Sequence, residues 1–151
     1  MLSLGALCHY DYNDPGSYSY EQAMQAILQI CENPIKDAEQ QLLRAALNVI
    51  ARNQDNHVKN IAFLMNPQGQ WRLSPAFDVA YSYNPDGEFT AQHQMSINGK
   101  RDDFQLEDLL ALAKAGAIKP RRARTLIDQV CLSVALARVC GCCQSRQAHG
   151  R

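Results

Sequence analysis

A polar loop at residues 53–60 joins a long helical pattern to a short hairpin pattern, and this junction constrains the fold more than any other feature. Over residues 37–52, apolar side chains recur at three- and four-residue spacing, which predicts an amphipathic and largely buried central helix. Two apolar runs at residues 61–65 and 70–73 flank an Asn-Pro-Gln-Gly turn, which predicts a β-hairpin. The fold must therefore deliver a helix directly into the loop and carry the chain away through two strands.

The N-terminal part of the chain predicts one complete helix and the end of another. Residues 2–8 are apolar and indicate the end of a helix that lacks a capping residue. Ser19 and Gln22 have the spacing of a capping box, so a helix is expected over residues 20–31. The short, turn-rich segment before Tyr20 is not expected to contribute to a sheet.

The C-terminal part predicts two more helices, so the fold class is mainly α. Residues 106–115 are rich in leucine, and Gly116 is placed as the C′ residue that ends this helix. Pro120 suits the first position of a last helix that reaches about residue 139. Before these helices lies a long irregular stretch, residues 79–99, which is typical of a functional or mobile loop.

Composition limits the class of protein. A length of 151 residues suits one domain, expected over residues 1–139, followed by a disordered tail over residues 140–151. Fifteen basic and fifteen acidic side chains give no net charge, so no overall field favours nucleic acid or a membrane surface. Six cysteines, four of them in the last 21 residues, do not form a disulfide framework, which favours a reducing cytoplasm. The Cys-x-x-Cys at Cys140 and Cys143 lacks the second pair that a metal site needs.

Three polar residues around the hairpin have the spacing of a magnesium-nucleotide phosphotransferase site. Asp55 and Asn60 are five positions apart, and Asp78 follows the second strand. Phosphoryl transfer needs a carboxylate beside the acceptor hydroxyl and oxygen ligands for Mg²⁺ near the phosphates. Two alternatives stay open: the three residues only cap turns and a helix, or His57 joins the two carboxylates in a zinc or iron site.

The motif Asn-x-Asp-x-His-x-x-Asn, the hairpin and the segment Trp-Arg-Leu-Ser-Pro-Ala-Phe-Asp together resemble the C-terminal part of HipA-family serine/threonine kinases. The resemblance extends over residues 2–139 and implies a kinase-like C-lobe. It assigns Asp55 as the catalytic aspartate, and Asn60 and Asp78 as the Mg²⁺ ligands. It also matches His57 to a histidine next to the phosphates of bound ATP, and Lys59 to a basic, cofactor-binding position inside the same loop. It further implies a protein substrate and the role of a toxin in a toxin–antitoxin pair. The partner would be a HipB-like antitoxin, and the toxin would contact DNA only indirectly, through that antitoxin.

Several kinase features are missing from the sequence. There is no Gly-x-Gly-x-x-Gly and no P-loop, and Lys36, the one lysine before the loop, lies at a helix start. Gln54 stands where many protein kinases carry an arginine before the catalytic aspartate. The chain is therefore expected to correspond to the C-lobe alone, without an N-terminal lobe and without kinase activity of its own.

Two rival functions remain. One is a non-catalytic binding module that keeps the fold and contacts an antitoxin or another partner protein. The other is a small-molecule kinase of the aminoglycoside-phosphotransferase type, whose loop also carries Asp and Asn five apart. The Trp-Arg-Leu-Ser-Pro-Ala-Phe-Asp segment disfavours this second rival. A basic cluster at residues 119–124 is interpreted as a solvated helix end, with no pattern of base recognition.

Overall fold

The computed structural model describes residues 1–11 and 16–139, which contain five α-helices, a 3₁₀ turn and three strands. Within these ranges, no helix has both the length and the apolar character that crossing a membrane requires. The expectation of a mainly α-helical fold is confirmed. The predicted tail at residues 140–151 lies outside the described residues. In chain order the elements are β1 (Leu2–Ser3), α1 (Leu4–Cys8), α2 (Tyr20–Ile30), α3 (Pro34–Ile50), the 3₁₀ turn Val58–Asn60, β2 (Ala62–Met65), β3 (Trp71–Leu73), α4 (Leu106–Ala115) and α5 (Pro120–Val139).

The N-terminal segment corrects two expectations. It does contribute to a sheet, because Leu2 pairs with Phe63 in an antiparallel register. Its helix, α1, is also capped, since the Ser3 hydroxyl accepts a hydrogen bond from the N–H of Ala6 at 3.2 Å. A two-residue strand is too short to show a period of two, so the sequence pattern cannot reveal it.

The predicted hairpin is confirmed as the pair β2 and β3, with β2 at the centre of a three-stranded sheet of order β1–β2–β3. Phe63 lies opposite Leu73, and both side chains are buried in the core. Trp71 is half-buried and packs against the core, and Leu64, the residue after Phe63, is also only half-buried. Neighbouring residues of a strand point to opposite faces, so Phe63 and Leu64 cannot both enter the core.

Helix α3 is the central helix, as predicted, and it packs against α2, α4 and α5. It begins at Pro34, three residues before the predicted start, because the missing N–H of proline is tolerated in the first turn. Ala38, Leu42, Ala45 and Ala46 are fully buried along it. The three alanines allow the neighbouring helices to approach closely, so α3 anchors the loop that follows it.

The end of α4 corrects the role given to Gly116. That residue has a φ of −83°, while Ala117 adopts the left-handed conformation at φ 55°. The N–H groups of Ala117 and Ile118 bond to the carbonyls of Lys114 and Ala113, both at 3.0 Å, which is a Schellman motif. Glycine is needed at 116 for a different reason: a Cβ there would lie 2.9 Å from the sulfur of the buried Met24.

Two adjacent substitutions should therefore change stability in opposite directions. Gly116→Ala is expected to lower the free energy of unfolding by about 1–2 kcal/mol, because the added methyl overpacks the contact with Met24. Ala117→Gly is expected to raise it by about 1 kcal/mol, because the exposed alanine gives up a left-handed conformation that disfavours Cβ. Urea denaturation of both variants measures the two changes. Stabilisation by Gly116→Ala would show that the packing argument is wrong.

Candidate functional site

The C-terminus of α3 turns the chain sharply into the polar loop. Arg52 has a φ of 53°, and its N–H bonds to the carbonyl of Val49 at 3.4 Å. The N–H of Asn53 reaches the carbonyl of Asn48 at 2.9 Å, which completes a second Schellman motif. The Arg52 guanidinium lies 4.2 Å from the centre of the Tyr83 ring. This cation–π contact joins the helix end to the stretch after Asp78.

A buried tyrosine holds the polar loop in place through hydrogen bonds to its hydroxyl. The hydroxyl of Tyr20, on α2, accepts hydrogen bonds from the side-chain amides of Asn48 at 2.8 Å and Asn56 at 2.9 Å. Tyr20 is only 1% exposed, and burial raises the pKa of its phenol, so it remains neutral. The Asn56 side-chain oxygen accepts from the N–H of Gln94 at 3.0 Å. One hydroxyl thus connects α2, α3, the loop and the segment before α4.

Ser82 fastens the stretch after Asp78 to the loop. Its hydroxyl accepts from the N–H of Asp55 at 2.9 Å and donates to the Asn53 side-chain oxygen at 3.1 Å. Its N–H bonds to the carbonyl of Arg52 at 3.2 Å. The sequence analysis missed Ser82, because a serine within a long irregular stretch carries no pattern that marks it. The stretch over residues 79–99 is therefore pinned to the candidate site.

The loop holds four of the five predicted site residues. Asp55 is half-exposed, and its backbone carbonyl accepts from the Asn60 side-chain amide at 2.9 Å. The Nε2 of His57 lies 4.0 Å from a carboxylate oxygen of Asp55. Lys59 is exposed on the 3₁₀ turn Val58–Asn60.

The fifth predicted residue, Asp78, arrives from the end of the hairpin. It has a φ of 54°, a left-handed conformation that aspartate tolerates better than most residues. Its backbone carbonyl accepts from the side-chain amide of Asn53 at 3.4 Å. Such conformations are held by their surroundings and are common where a side chain must be aimed.

A cleft lined by residues of α3, the polar loop and residues 76–79 brings together three of the five residues: His57, Asn60 and Asp78. Asp55 and Lys59 do not line it. The oxygen atoms suit Mg²⁺. The Asn60 side-chain nitrogen bonds to the Asp55 carbonyl, which leaves the Asn60 side-chain oxygen as a ligand, and Asp78 lines the same cleft. Among the described residues, no three His, Cys, Asp or Glu side chains lie close enough together to hold a metal ion.

A buried carboxylate on α4 holds the segment that carries Gln94. The Asp108 side chain accepts hydrogen bonds from the Asn98 amide, the Lys100 ammonium and the N–H of Gln105, each at 2.8 Å. These bonds, led by the one from Asn98, lower the pKa of Asp108 to about 2. The N–H of Gln94 bonds to the Asn56 side chain in the polar loop, so the charge on Asp108 stabilises the candidate site indirectly, through this segment.

Residues 1–137 match the family model of the HipA-like C-terminal domain. The chain belongs to this HipA-like family. Its fold is similar to that of a chain in the Shewanella oneidensis MR-1 toxin–antitoxin complex of HipA, HipB and operator DNA. The TM-score is 0.56 at 25% identity, and the match covers 76% of this chain and 29% of that chain. No curated protein sequence matches the chain. The resemblance to HipA kinases inferred from the sequence is confirmed at the level of the HipA-like family.

The substitution Tyr20→Phe, which removes only the hydroxyl, tests whether this hydroxyl stabilises the HipA-like fold. Tyr20→Phe leaves two buried amide donors without their acceptor, so we expect a loss of about 1–3 kcal/mol in the free energy of unfolding. Tyr81→Phe removes a hydroxyl from a side chain that is 69% exposed and should change stability little. Urea denaturation of both variants measures the difference. Equal effects would show that the hydroxyl of Tyr20 has no special role.

The depressed pKa of Asp108 predicts a loss of stability in acid. Its ordinary value of 3.8 applies in the unfolded chain and a value of about 2 in the folded one. Its contribution is thus complete above pH 3.8 and disappears as the pH falls towards 2. Asp108→Asn should be less stable than the parent protein at neutral pH, and the gap should narrow across that range. A gap that does not vary with pH, measured by thermal unfolding, would contradict the assignment.

Proposed function

We propose that this chain supplies the acceptor-activating and metal-binding half of a HipA-like serine/threonine protein kinase site. In such a site the γ-phosphate of ATP passes to a protein hydroxyl with the help of Mg²⁺. One observation carries the proposal: Asn60, from the loop, and Asp78, from beyond the hairpin, line the same cleft in a chain of this family. Their oxygens are of the type that Mg²⁺ prefers.

Asp55 is proposed as the residue that orients or deprotonates the acceptor hydroxyl. Its side chain is 50% exposed, so an incoming peptide can reach it, while its N–H and carbonyl are held by Ser82 and Asn60. This combination of a fixed backbone and an accessible carboxylate suits a positioned general base. Phosphoryl transfer depends mainly on such positioning, so a rigid loop contributes directly to the rate.

Asn60 and Asp78 would hold the cation, with His57 and Lys59 beside the phosphates. Bound Mg²⁺ would neutralise the charge on the transferred phosphoryl group. His57 lines the cleft, whereas Lys59 is exposed and does not line it, so Lys59 would have to reach the phosphates through its flexible side chain.

The partners follow from the relative whose structure contains HipB and operator DNA. We propose that the protein acts as the toxin of a toxin–antitoxin pair in the cytoplasm, and that a HipB-like antitoxin binds it. DNA would be contacted through the antitoxin, which is consistent with a chain that has no net charge.

A second candidate function is a non-catalytic module that binds a partner protein. Exposed apolar side chains near Asp78 favour it: Phe77, Val79 and Tyr81 are 38%, 48% and 69% exposed. Such side chains favour a protein partner when they lie together on a surface. The two candidates differ in whether the cleft binds Mg²⁺ and nucleotide.

The decisive experiment measures Mg²⁺-dependent ATP binding by calorimetry. Asp78→Asn should weaken binding at least about tenfold, because a charged metal ligand is lost. Asp86→Asn, an exposed aspartate in the following loop, is the matched control and should bind like the parent protein. Asp55→Asn should bind nucleotide like the parent protein, and it should lose phosphate transfer when the chain is complemented by a kinase N-terminal lobe. Equal binding by Asp78→Asn and the parent would contradict the kinase proposal. If the parent protein itself binds a partner protein and no nucleotide, the module is favoured.

A further inference from the structure

One face of α3 points a row of polar side chains into the cleft beneath Asp78. Gln41, Arg44 and Asn48 are three and four residues apart, so they lie on the same side of the helix, and all three line the cleft. Asn48 is already engaged with Tyr20. The other two were not singled out by the sequence analysis, because a polar residue within an apolar stripe resembles an ordinary boundary position.

Two residues of α3, Asp37 and Arg44, form hydrogen bonds with the backbone at the end of the hairpin. The Asp37 carboxylate accepts from the N–H of Leu73 at 3.0 Å, and the Arg44 guanidinium donates through Nη2 to the carbonyl of Ser74 at 2.5 Å. The N–H of Ser74 continues the ladder to the carbonyl of Ala62 at 2.8 Å. The backbone at Ser74 is therefore fixed on both sides, four residues before Asp78.

Arg44 and Gln41 each have one buried polar atom that has no hydrogen-bond partner among the described residues. These atoms are Nη1 of Arg44, a donor, and Oε1 of Gln41, an acceptor. Gln41 is only 1% exposed, so its oxygen cannot turn to bulk solvent. A water molecule accepts from one atom and donates to the other, which makes it the ligand that fits both.

We propose that Arg44 is a positioning residue for Asp78, acting through the Ser74 carbonyl and through an ordered water that it shares with Gln41 in the cleft. Residues 75–80 are exposed, and Asp78 keeps a left-handed φ that its surroundings must hold. The other end of this segment is held by Asn53 at the Asp78 carbonyl and by Ser82 on the loop. Arg44 completes the support from the hairpin side. The inference rests on the proposed function only in treating Asp78 as the cation ligand.

Three variants and one control test the proposal by ¹⁵N relaxation of residues 76–79. Arg44→Met removes both guanidinium contacts, and the order parameters of these residues should fall from about 0.85 towards 0.6 or below. Arg44→Lys keeps a donor for Ser74, and Gln41→Leu removes the water's acceptor, so both should give smaller decreases. Arg122→Met is the control. It removes a guanidinium that pairs with Glu39 on α3 at 2.7 and 2.9 Å, far along the chain from Ser74, and it should leave residues 76–79 unchanged.

A second readout separates positioning from general stability. In the Arg44 variants, Mg²⁺-dependent ATP binding should weaken about tenfold although Asp78 is intact, as expected when a supporting residue of a metal ligand is lost. Unchanged order parameters in Arg44→Met, or a uniform fall across all helices, would overturn the proposal. If Arg44→Met does not fold, the other two variants decide. Order parameters of residues 76–79 that stay at the parent value in both Arg44→Lys and Gln41→Leu would also overturn the proposal. If the parent protein binds no nucleotide, the kinase proposal fails, yet the order parameters still decide the role of Arg44.

Discussion

The structure depends on the buried hydroxyl of Tyr20, which accepts two amide hydrogen bonds. The loop after α3 has little regular backbone pairing, so its polar groups need partners from elsewhere. Tyr20 supplies one for Asn48 and one for Asn56, and Asn56 passes the connection to Gln94. In the protein interior the dielectric constant is low, so breaking one of these hydrogen bonds costs more free energy than in water. The network therefore fixes the conformation of a loop that has little regular backbone pairing of its own.

This network explains why residues distant in the sequence meet. The Schellman motif at Arg52 aims the chain away from α3, and Ser82 ties Asp55 to the stretch beyond Asp78. As a result, Asn60 of the loop and Asp78 from beyond the hairpin line the same cleft. The apolar packing of α3 against α2, α4 and α5 provides the platform, and the buried polar groups set the geometry on top of it.

Patterns of neighbouring residues in the sequence predicted those elements whose formation depends on neighbouring residues. The bounds of α4, the capping box at Ser19 and the hairpin follow from periodicity, capping and turn chemistry. The strand β1 was missed because two residues show no period and its partner, Phe63, is distant in the sequence. The left-handed residue at the end of α4 was placed at Gly116 instead of Ala117, because glycine is the usual residue at that position. The site shows the same division. The motif named Asp55, Asn60 and Asp78, whereas Ser82 and Arg44 become visible only when the fold brings them to those residues.

The central claim is that Asn60 and Asp78 act together as one divalent-cation site. The most direct test adds Mn²⁺ with ADP to ¹⁵N-labelled protein and follows the paramagnetic broadening of each amide signal. The account predicts that the signals around residues 57–60 and 77–79 broaden first and together, and that the exposed acidic turn at residues 102–103 is affected only at higher concentration. Broadening that begins at that turn, or that affects one of the two segments without the other, would contradict it.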